Sequence, residues 1–361
     1  MKLSLKQKEL KESLGNILGT VRESGISHLS STIKIQTEGE EIFAYMGNGD
    51  SYIRQKVPGD IALTGACALY GKSLFDLVSN LLTTEPVDLI FDEGRLVVKQ
   101  NRLRYKIPTM PITNFWHFDP VGESSYVAIN PKSLIACIDA VSYAASKDTG
   151  RNTASVLIEP KGDGKIRAVA TDNLRLVLRN EIGVVNAPFL ISPNNAKSLR
   201  KYLADKTEMG MFVDTALVHI LTPEGFLKLR RIDKDYVNYR GILPQGPHKT
   251  IKFNTAEVSA ALHRMTLFDA TKASYSVAMH VQAQMMKLEL RNKDGEGEEV
   301  LAIESDSPDA IVININPKQF IEVLEHTEGE MLMIRYYGPT APIIITDNKE
   351  SLTLLSQVSV K

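Results

Sequence analysis

Apolar positions along the chain change period at regular intervals. Four stretches carry apolar residues at helical spacing behind a cap-forming residue or a proline: Gly71-Lys72-Ser73-Leu74, Asn130-Pro131-Lys132-Ser133-Leu134, Asn195-Ala196-Lys197-Ser198-Leu199 and Asn316-Pro317-Lys318-Gln319-Phe320. Two weaker starts, at Gln7-Lys8-Glu9-Leu10 and Ala256-Glu257-Val258, fill the gaps. With Lys8, Lys72, Lys132, Lys197, Glu257 and Lys318 as markers the spacings are 64, 60, 65, 60 and 61, so six near-equal segments emerge.

Between these helices the apolar residues alternate or run short, with Gly, Asn, Asp and Pro between them. The pattern predicts strands at 31–36, 41–46 and 51–57; at 87–91, 95–99 and 102–108; at 154–159, 165–171 and 174–181; at 209–213, 216–221 and 226–232; at 275–281, 285–291 and 298–304; and at 330–336, 341–346 and 351–358. Each segment is predicted as one helix followed by three antiparallel strands. One such segment cannot bury both its helix and its sheet, so neighbours should pair into two-layer α+β domains. Three similar domains are expected, at 1–120, 125–245 and 249–361, with joints at Asp119-Pro120-Val121-Gly122 and Leu243-Pro244-Gln245-Gly246-Pro247.

Composition narrows the class of protein. Of 361 residues 43% are hydrophobic and 24% charged, which excludes global disorder. Against 43 Asp and Glu there are 42 Lys and Arg, a net charge of −1, too balanced for a protein that coats nucleic acid over its whole surface. No window approaches the roughly 18 apolar residues of a membrane span, and Met1-Lys2-Leu3-Ser4-Leu5-Lys6 lacks the apolar centre of a signal peptide, so a cytoplasmic protein with no membrane partner is expected. Cys67 and Cys137 each sit in an apolar run and read as buried free thiols.

Candidate chemistry is sparse. Gly65 to Gly71-Lys72-Ser73 has five residues between its glycines where a phosphate loop needs four, and Lys72-Ser73 is already explained as a helix start. The seven histidines have no metal-ligand spacing and no nucleophile elbow is present. The carboxylates of Asp294-Gly295-Glu296-Gly297-Glu298-Glu299 lack calcium-loop order and read as a solvated hairpin turn. No reaction, metal or cofactor is indicated. What recurs is cations in the helices: Lys8 and Lys11, Lys72, Lys132, then Lys197, Arg200 and Lys201, Arg264, and Lys318. Closed around an axis, such helices would give a basic inner wall, with acidic strands and loops outside balancing the charge.

Six helix-plus-strand segments over about 360 residues resemble the bacterial sliding clamp family, the β subunit of DNA polymerase III. The best stretch is Ala168-Val169-Ala170-Thr171-Asp172-Asn173-Leu174-Arg175-Leu176, similar to the family's Ala-Thr-Asp-Gly-His-Arg-Leu; Ala144 to Arg151 and Asn238-Tyr239-Arg240-Gly241-Ile242-Leu243-Pro244 resemble segments before and after it. The resemblance implies a non-catalytic homodimeric ring around DNA, sequence-independent in its contacts. It would tether a DNA polymerase and accept clamp loader and repair proteins through short linear peptides. It adds Arg22 and Arg151 to the DNA-facing cations and implies a dimer contact at Tyr105, Ile107, Leu267 and Phe268. The partner cleft would comprise Ala154, Thr171, Asn173, Leu174, Arg175, Leu176, Val237, Ile242, Leu354, Leu355 and Ser356. Asn173-Leu174 replaces the family's Gly-His, Val237 a Pro, and the tail lacks the Met-Pro-x-Arg-Leu ending, which implies shifted peptide specificity. Two other classes are a clamp-like interaction scaffold that does not encircle DNA and a nucleotide-dependent enzyme using Lys72-Ser73; loop length disfavours the enzyme and the repeated cations favour the clamp.

Overall fold

A computed structural model describes residues 1–21, 28–115, 122–267, 276–292, 295–347 and 350–359. In the first segment β1 (Lys2–Lys6) runs into α1 (Gln7–Thr20), followed by β2 (Thr32–Glu38), β3 (Glu41–Gly47) and β4 (Ser51–Lys56). After β5 (Asp60–Leu63) the second comprises β6 (Ala66–Tyr70), α2 (Gly71–Ser79), β7 (Pro86–Asp92), β8 (Arg95–Gln100) and β9 (Leu103–Pro108). The third has β10 (Val127–Ala128), α3 (Pro131–Val141), β11 (Val156–Gly162), β12 (Lys165–Thr171) and β13 (Arg175–Ile182). The fourth has β14 (Phe189–Ile191), α4 (Pro193–Leu203), β15 (Gly210–Val213), β16 (Leu217–Thr222) and β17 (Gly225–Arg230). The fifth has β18 (Lys249–Asn254), α5 (Thr255–Thr266), β19 (Val277–Gln282), β20 (Met285–Asn292) and β21 (Gly295–Ala302). Past β22 (Glu304–Ser305), the sixth has β23 (Ile311–Ile315), α6 (Pro317–His326), β24 (Met331–Tyr336), β25 (Ile343–Thr346) and β26 (Ser351–Leu355).

The repeating unit is therefore one strand longer than the pattern predicts: a lead strand runs straight into every helix. Lead strands do not stay at home. β1 pairs with β7 and β6 pairs with β2, so the first two segments exchange lead strands; β18 with β24 and β23 with β19 make the same exchange in the last two. Each exchange hydrogen-bonds one segment into its neighbour's sheet.

Two other predictions are corrected. The fourth helix is capped by Ser192, whose hydroxyl accepts from the Asn195 amide at 3.1 Å, with Pro193 next. Asn195, predicted as the cap, is buried and donates its side-chain amide to the Arg230 carbonyl at 3.0 Å. Ser-Pro is the stronger start because proline's fixed φ and missing N–H suit the first helical position. The acidic stretch is not a turn: β21 pairs with β20 from Gly295 onward, so Glu296, Glu298 and Glu299 belong to a strand, and Asp294 lies outside the described residues. Its predicted start at 298 fails because the alternation of small and charged residues on a sheet edge carries little apolar signal.

The chain forms two compact units, one of residues 1–135 and 183–233, the other of 136–182 and 234–361. In the first, a sheet ordered β5-β1-β7-β8-β9 accompanies an eight-stranded sheet ordered β10-β15-β16-β17-β4-β3-β2-β6. Leu10, Leu14 and Ile17, at i, i+4 and i+7 of α1, are fully buried, and α1 packs on α2 and α4. In the second unit β11-β12-β13-β26-β25-β24-β18-β22 run consecutively in one sheet and β21-β20-β19-β23 form another. Phe253 and Phe320 meet at 6.2 Å in its core, between strand β18 and helix α6.

Candidate nucleic-acid interface and partner cleft

Helices bury their apolar stripe and leave the opposite face to water, so their cations should be available. Lys8, Lys11, Lys72, Lys132, Lys197, Arg200, Lys201, Arg264 and Lys318 are all exposed and all on helices; Arg151 is exposed in a turn, and Arg22 lies outside the described residues. Their electrostatic settings differ. α4 carries Lys197, Arg200 and Lys201 with no Asp or Glu, and Lys201 reaches over α1 at Gly19, where any Cβ would stand 1.9 Å from its Nζ. In the second unit Arg264 is taken: Nε and Nη2 donate to the two carboxylate oxygens of Glu299 at 2.9 and 2.5 Å. That pair holds the Glu299 carboxyl below the usual carboxylate range and raises the Arg264 guanidinium. Lys318 shares α6 with Glu322 and Glu325, and Arg151 donates to Asp148 at 3.0 Å.

The predicted cleft residues all fall in the second unit and form two groups. Leu176, Leu354 and Leu355 are buried in the sheet, where Arg175 faces Leu355 and Leu176 faces Leu354 across the β13–β26 pair. Ala154 and Thr171 are buried as well, Val237 and Ser356 half-buried. Leu174 and Ile242 instead stand 54% and 51% exposed, and Asn173 is exposed beside Leu174. These form the accessible apolar part of the predicted cleft.

The turn that presents Leu174 is built locally. Asp172 accepts from the backbone N–H groups of Leu174 and Arg175 at 3.0 and 2.9 Å, and Asn173 takes φ 75°, a left-handed value that Asn tolerates better than most residues. Ser356 donates its N–H to the Leu174 carbonyl at 2.9 Å, tying the tail to this turn. Arg175 is fixed from three sides: Nε donates to Asp172 at 3.1 Å, Nη1 to Glu322 at 2.5 Å, and its guanidinium lies 5.0 Å from the Tyr143 ring. Tyr143 stacks on His326 at 4.0 Å, and burial pushes its phenol up to about 12. Opposite, Asn152 donates to the Asp235 carbonyl at 2.9 Å, while Tyr239 and Arg240 both donate to one oxygen of Glu159 at 2.5 and 2.6 Å. The 235–242 segment carrying Val237 and Ile242 is thereby pinned.

Glu322, Tyr143, Asn152 and Glu159 were not found by sequence reasoning, because each acts only through a partner more than 30 residues away. Among the residues implied for dimer contact, Tyr105 is 45% exposed, Ile107 half-buried and Leu267 81% exposed; Phe268 lies outside the described residues. Tyr105 and Ile107 sit on β9, the terminal strand of its sheet, facing Val98 and Leu96 on β8. A signal the reading overlooked lies here: residues 95–108 hold Arg95, Lys99, Arg102, Arg104 and Lys106 and no acid. β21, also terminal in its sheet, carries Glu296, Glu298 and Glu299. Cys67 and Cys137 are buried free thiols, pushed up to about 12 by burial.

Helices and strands of six repeated segments, with lead strands exchanged between neighbours, define an α+β protein of the DNA-clamp fold. Solved structures agree: the DNA polymerase III subunit beta from Pseudomonas aeruginosa superposes with TM-score 0.93 at 19% identity, and Caulobacter crescentus pol III beta with 0.91 at 23%, each over 100% of both chains. The family described as DNA polymerase III beta subunit, C-terminal domain, matches residues 240–356. The beta sliding clamp of Caulobacter vibrioides is 25% identical over 96% of both chains, and that of Pseudomonas aeruginosa 22% identical over 97% of this chain and 98% of its own. The chain is thus similar over nearly its whole length to bacterial beta sliding clamps, and its residues 240–356 match the C-terminal domain of that family.

Proposed function

We propose that this sliding clamp is one half of a homodimeric ring that encircles duplex DNA and tethers a polymerase without chemistry of its own. The observation that carries this is the exposure of every described helix cation, on a fold that matches clamps over its whole length. Such cations give sequence-blind, mobile phosphate contacts, sufficient for a ring that holds its duplex by topology. The six segments are read as three domains, at 1–120, 125–245 and 249–361, in a cytoplasmic protein.

For closure, the β9 edge of one copy meets the β21 edge of the other. One edge strand lies in a basic stretch and the other is acidic, and β9 presents Tyr105 and Ile107 to an apolar partner surface to which Leu267 belongs. Used twice, this heterologous contact makes a dimer only if its rotation closes. The cleft around Leu174 and Ile242 receives short linear peptides of the polymerase, the clamp loader and repair proteins. With Asn173-Leu174 and Val237 in place of the family's usual residues, it takes a different set of side chains from the typical clamp.

The test combines mass in solution by light scattering with loader-dependent retention on nicked circular DNA. A dimer retained on circles and released on linearisation is expected. A monomer that never stays on circles would sink the ring and leave a clamp-like scaffold. A consensus clamp-binding peptide should bind weakly; ordinary micromolar binding abolished by Leu176→Asp would remove the altered-specificity part.

A further inference from the structure

One groove in the first unit has no part in the clamp functions proposed above. It is a groove of about 850 Å³ between the ends of β3, β4, β10, β15 and β17 and the β16–β17 turn, walled by Phe43, Arg54, Tyr126, Met209 and Leu221. Across the sheet the facing residues read Ala128, Gly210, Leu221, Phe226, Arg54 and Tyr45, so the groove lies where two small residues follow one another in a row of large ones. At Gly225, φ is +151° and any Cβ would stand 1.9 Å from the Arg54 carbonyl oxygen, so only glycine fits where β17 meets β4 at the end of the groove.

One wall is already ordered. The Arg54 guanidinium lies 3.4 Å from the centre of the Phe43 ring, donates to Glu38 at 2.7 Å and to the Tyr45 hydroxyl at 3.2 Å. Its charge is therefore satisfied within the protein, and it presents a flat apolar-backed surface that loses little freedom when covered. The remaining charge in the lining is acidic. Glu41 pairs with Lys56, whereas Glu208 is exposed and has no ion-pair partner among the described residues. β10 is the terminal strand of the sheet, so an extended backbone can lie along it.

We propose that this groove is a docking site for a short linear peptide bearing a bulky apolar side chain next to a Lys or Arg. Tyr126 covers Gly210, so the apolar side chain lies in the groove between Tyr126 and Phe43, against Met209 and Leu221, and the cation meets Glu208. Neither ring closure nor the cleft in the second unit is needed for this.

Acetyl-Leu-Phe-Arg-amide and acetyl-Leu-Phe-Glu-amide, titrated into the full chain labelled at the methionine methyl carbons, test it, with the Met209 methyl as reporter. The Arg peptide should shift Met209 with a Kd of about 0.1–1 mM, and the Glu peptide should bind roughly tenfold more weakly. Glu208→Lys should reverse that preference, and Ala128→Trp, placed on an exposed position, should abolish the shift while the other methionine signals and the Tm stay unchanged. Leu174→Glu, in the cleft of the second unit, should leave the Met209 shift as it is in the wild type. The proposal is overturned if Met209 does not move, if both peptides bind alike, if Ala128→Trp has no effect, or if Leu174→Glu removes the shift.

Discussion

Helices α4 and α6 occupy corresponding places in their segments and share an opening, a Ser or Asn cap followed by proline, yet they differ in charge. α4 has three exposed cations and no acid, while α6 has Lys318 against Glu322 and Glu325. In α5 the single arginine is bound by Glu299. Cations at repeated positions are thus unequal, because a phosphate must compete with whatever carboxylate already holds them. On the proposed function, the acid-free α4 should contribute more to binding a duplex than α5 or α6.

Removing the α4 charges should have the largest effect. If the α4 cations contact phosphates as proposed, Lys197→Ala with Arg200→Ala and Lys201→Ala should remove up to three contacts of about 0.9 each in salt slope, a loss on the order of a hundredfold in affinity near 0.1 M salt. Binding to a short duplex at several salt concentrations measures it, and an effect under fivefold would break the contrast. Lys318→Ala with Arg264→Ala should cost less than about threefold, since one is already paired and the other sits among acids. A loss as large as that of the α4 triple would show the second unit gripping equally.

Glu299→Gln should act in the opposite direction, freeing Arg264 and raising affinity about twofold. The Glu299 carboxyl is held below its ordinary range by Arg264, so the pair is intact above the unfolded value and is lost as pH falls through the lower folded one. The difference between wild type and Glu299→Gln should therefore shrink as pH falls below about 4.3, and a constant difference would refute the pairing. The smallest effect concerns the caps: Ser192→Ala should lower stability by about 1 kcal/mol through its lost bond to Asn195, and Asn316→Ala on α6 by a similar amount, both read by urea denaturation.

Much of this was legible. Helices α3 to α6 are marked by caps, three of them with proline, whereas α1 and α2 follow Lys6 and Tyr70 without a side-chain cap, Gly71 being the first helical residue and not the predicted cap; most strands are marked by alternation. The six lead strands were missed because each is only two to six residues long and abuts a helix start, so its alternation merges into the helical pattern; their exchange partners are tens of residues away and leave no local trace. The site was legible as a set of residues but not as a surface. Nothing in the sequence separates Leu174, presented by the Asp172 turn, from Leu176 two residues later, which the sheet buries. Nor could it show that Arg264 is paired with a glutamate 35 positions away.

Exchange of lead strands also bears on how the chain is made. β1 leaves the ribosome well before its partners, β5 at Asp60–Leu63 and β7 at Pro86–Asp92, and β2 likewise waits for β6. β1 gains one partner only after some sixty residues are synthesised and the other after about ninety, and then two half-sheets close almost together. Nascent chains halted before residue 92 should expose Leu3 and Leu5 to chaperones, and folding should advance in steps of two segments, not one.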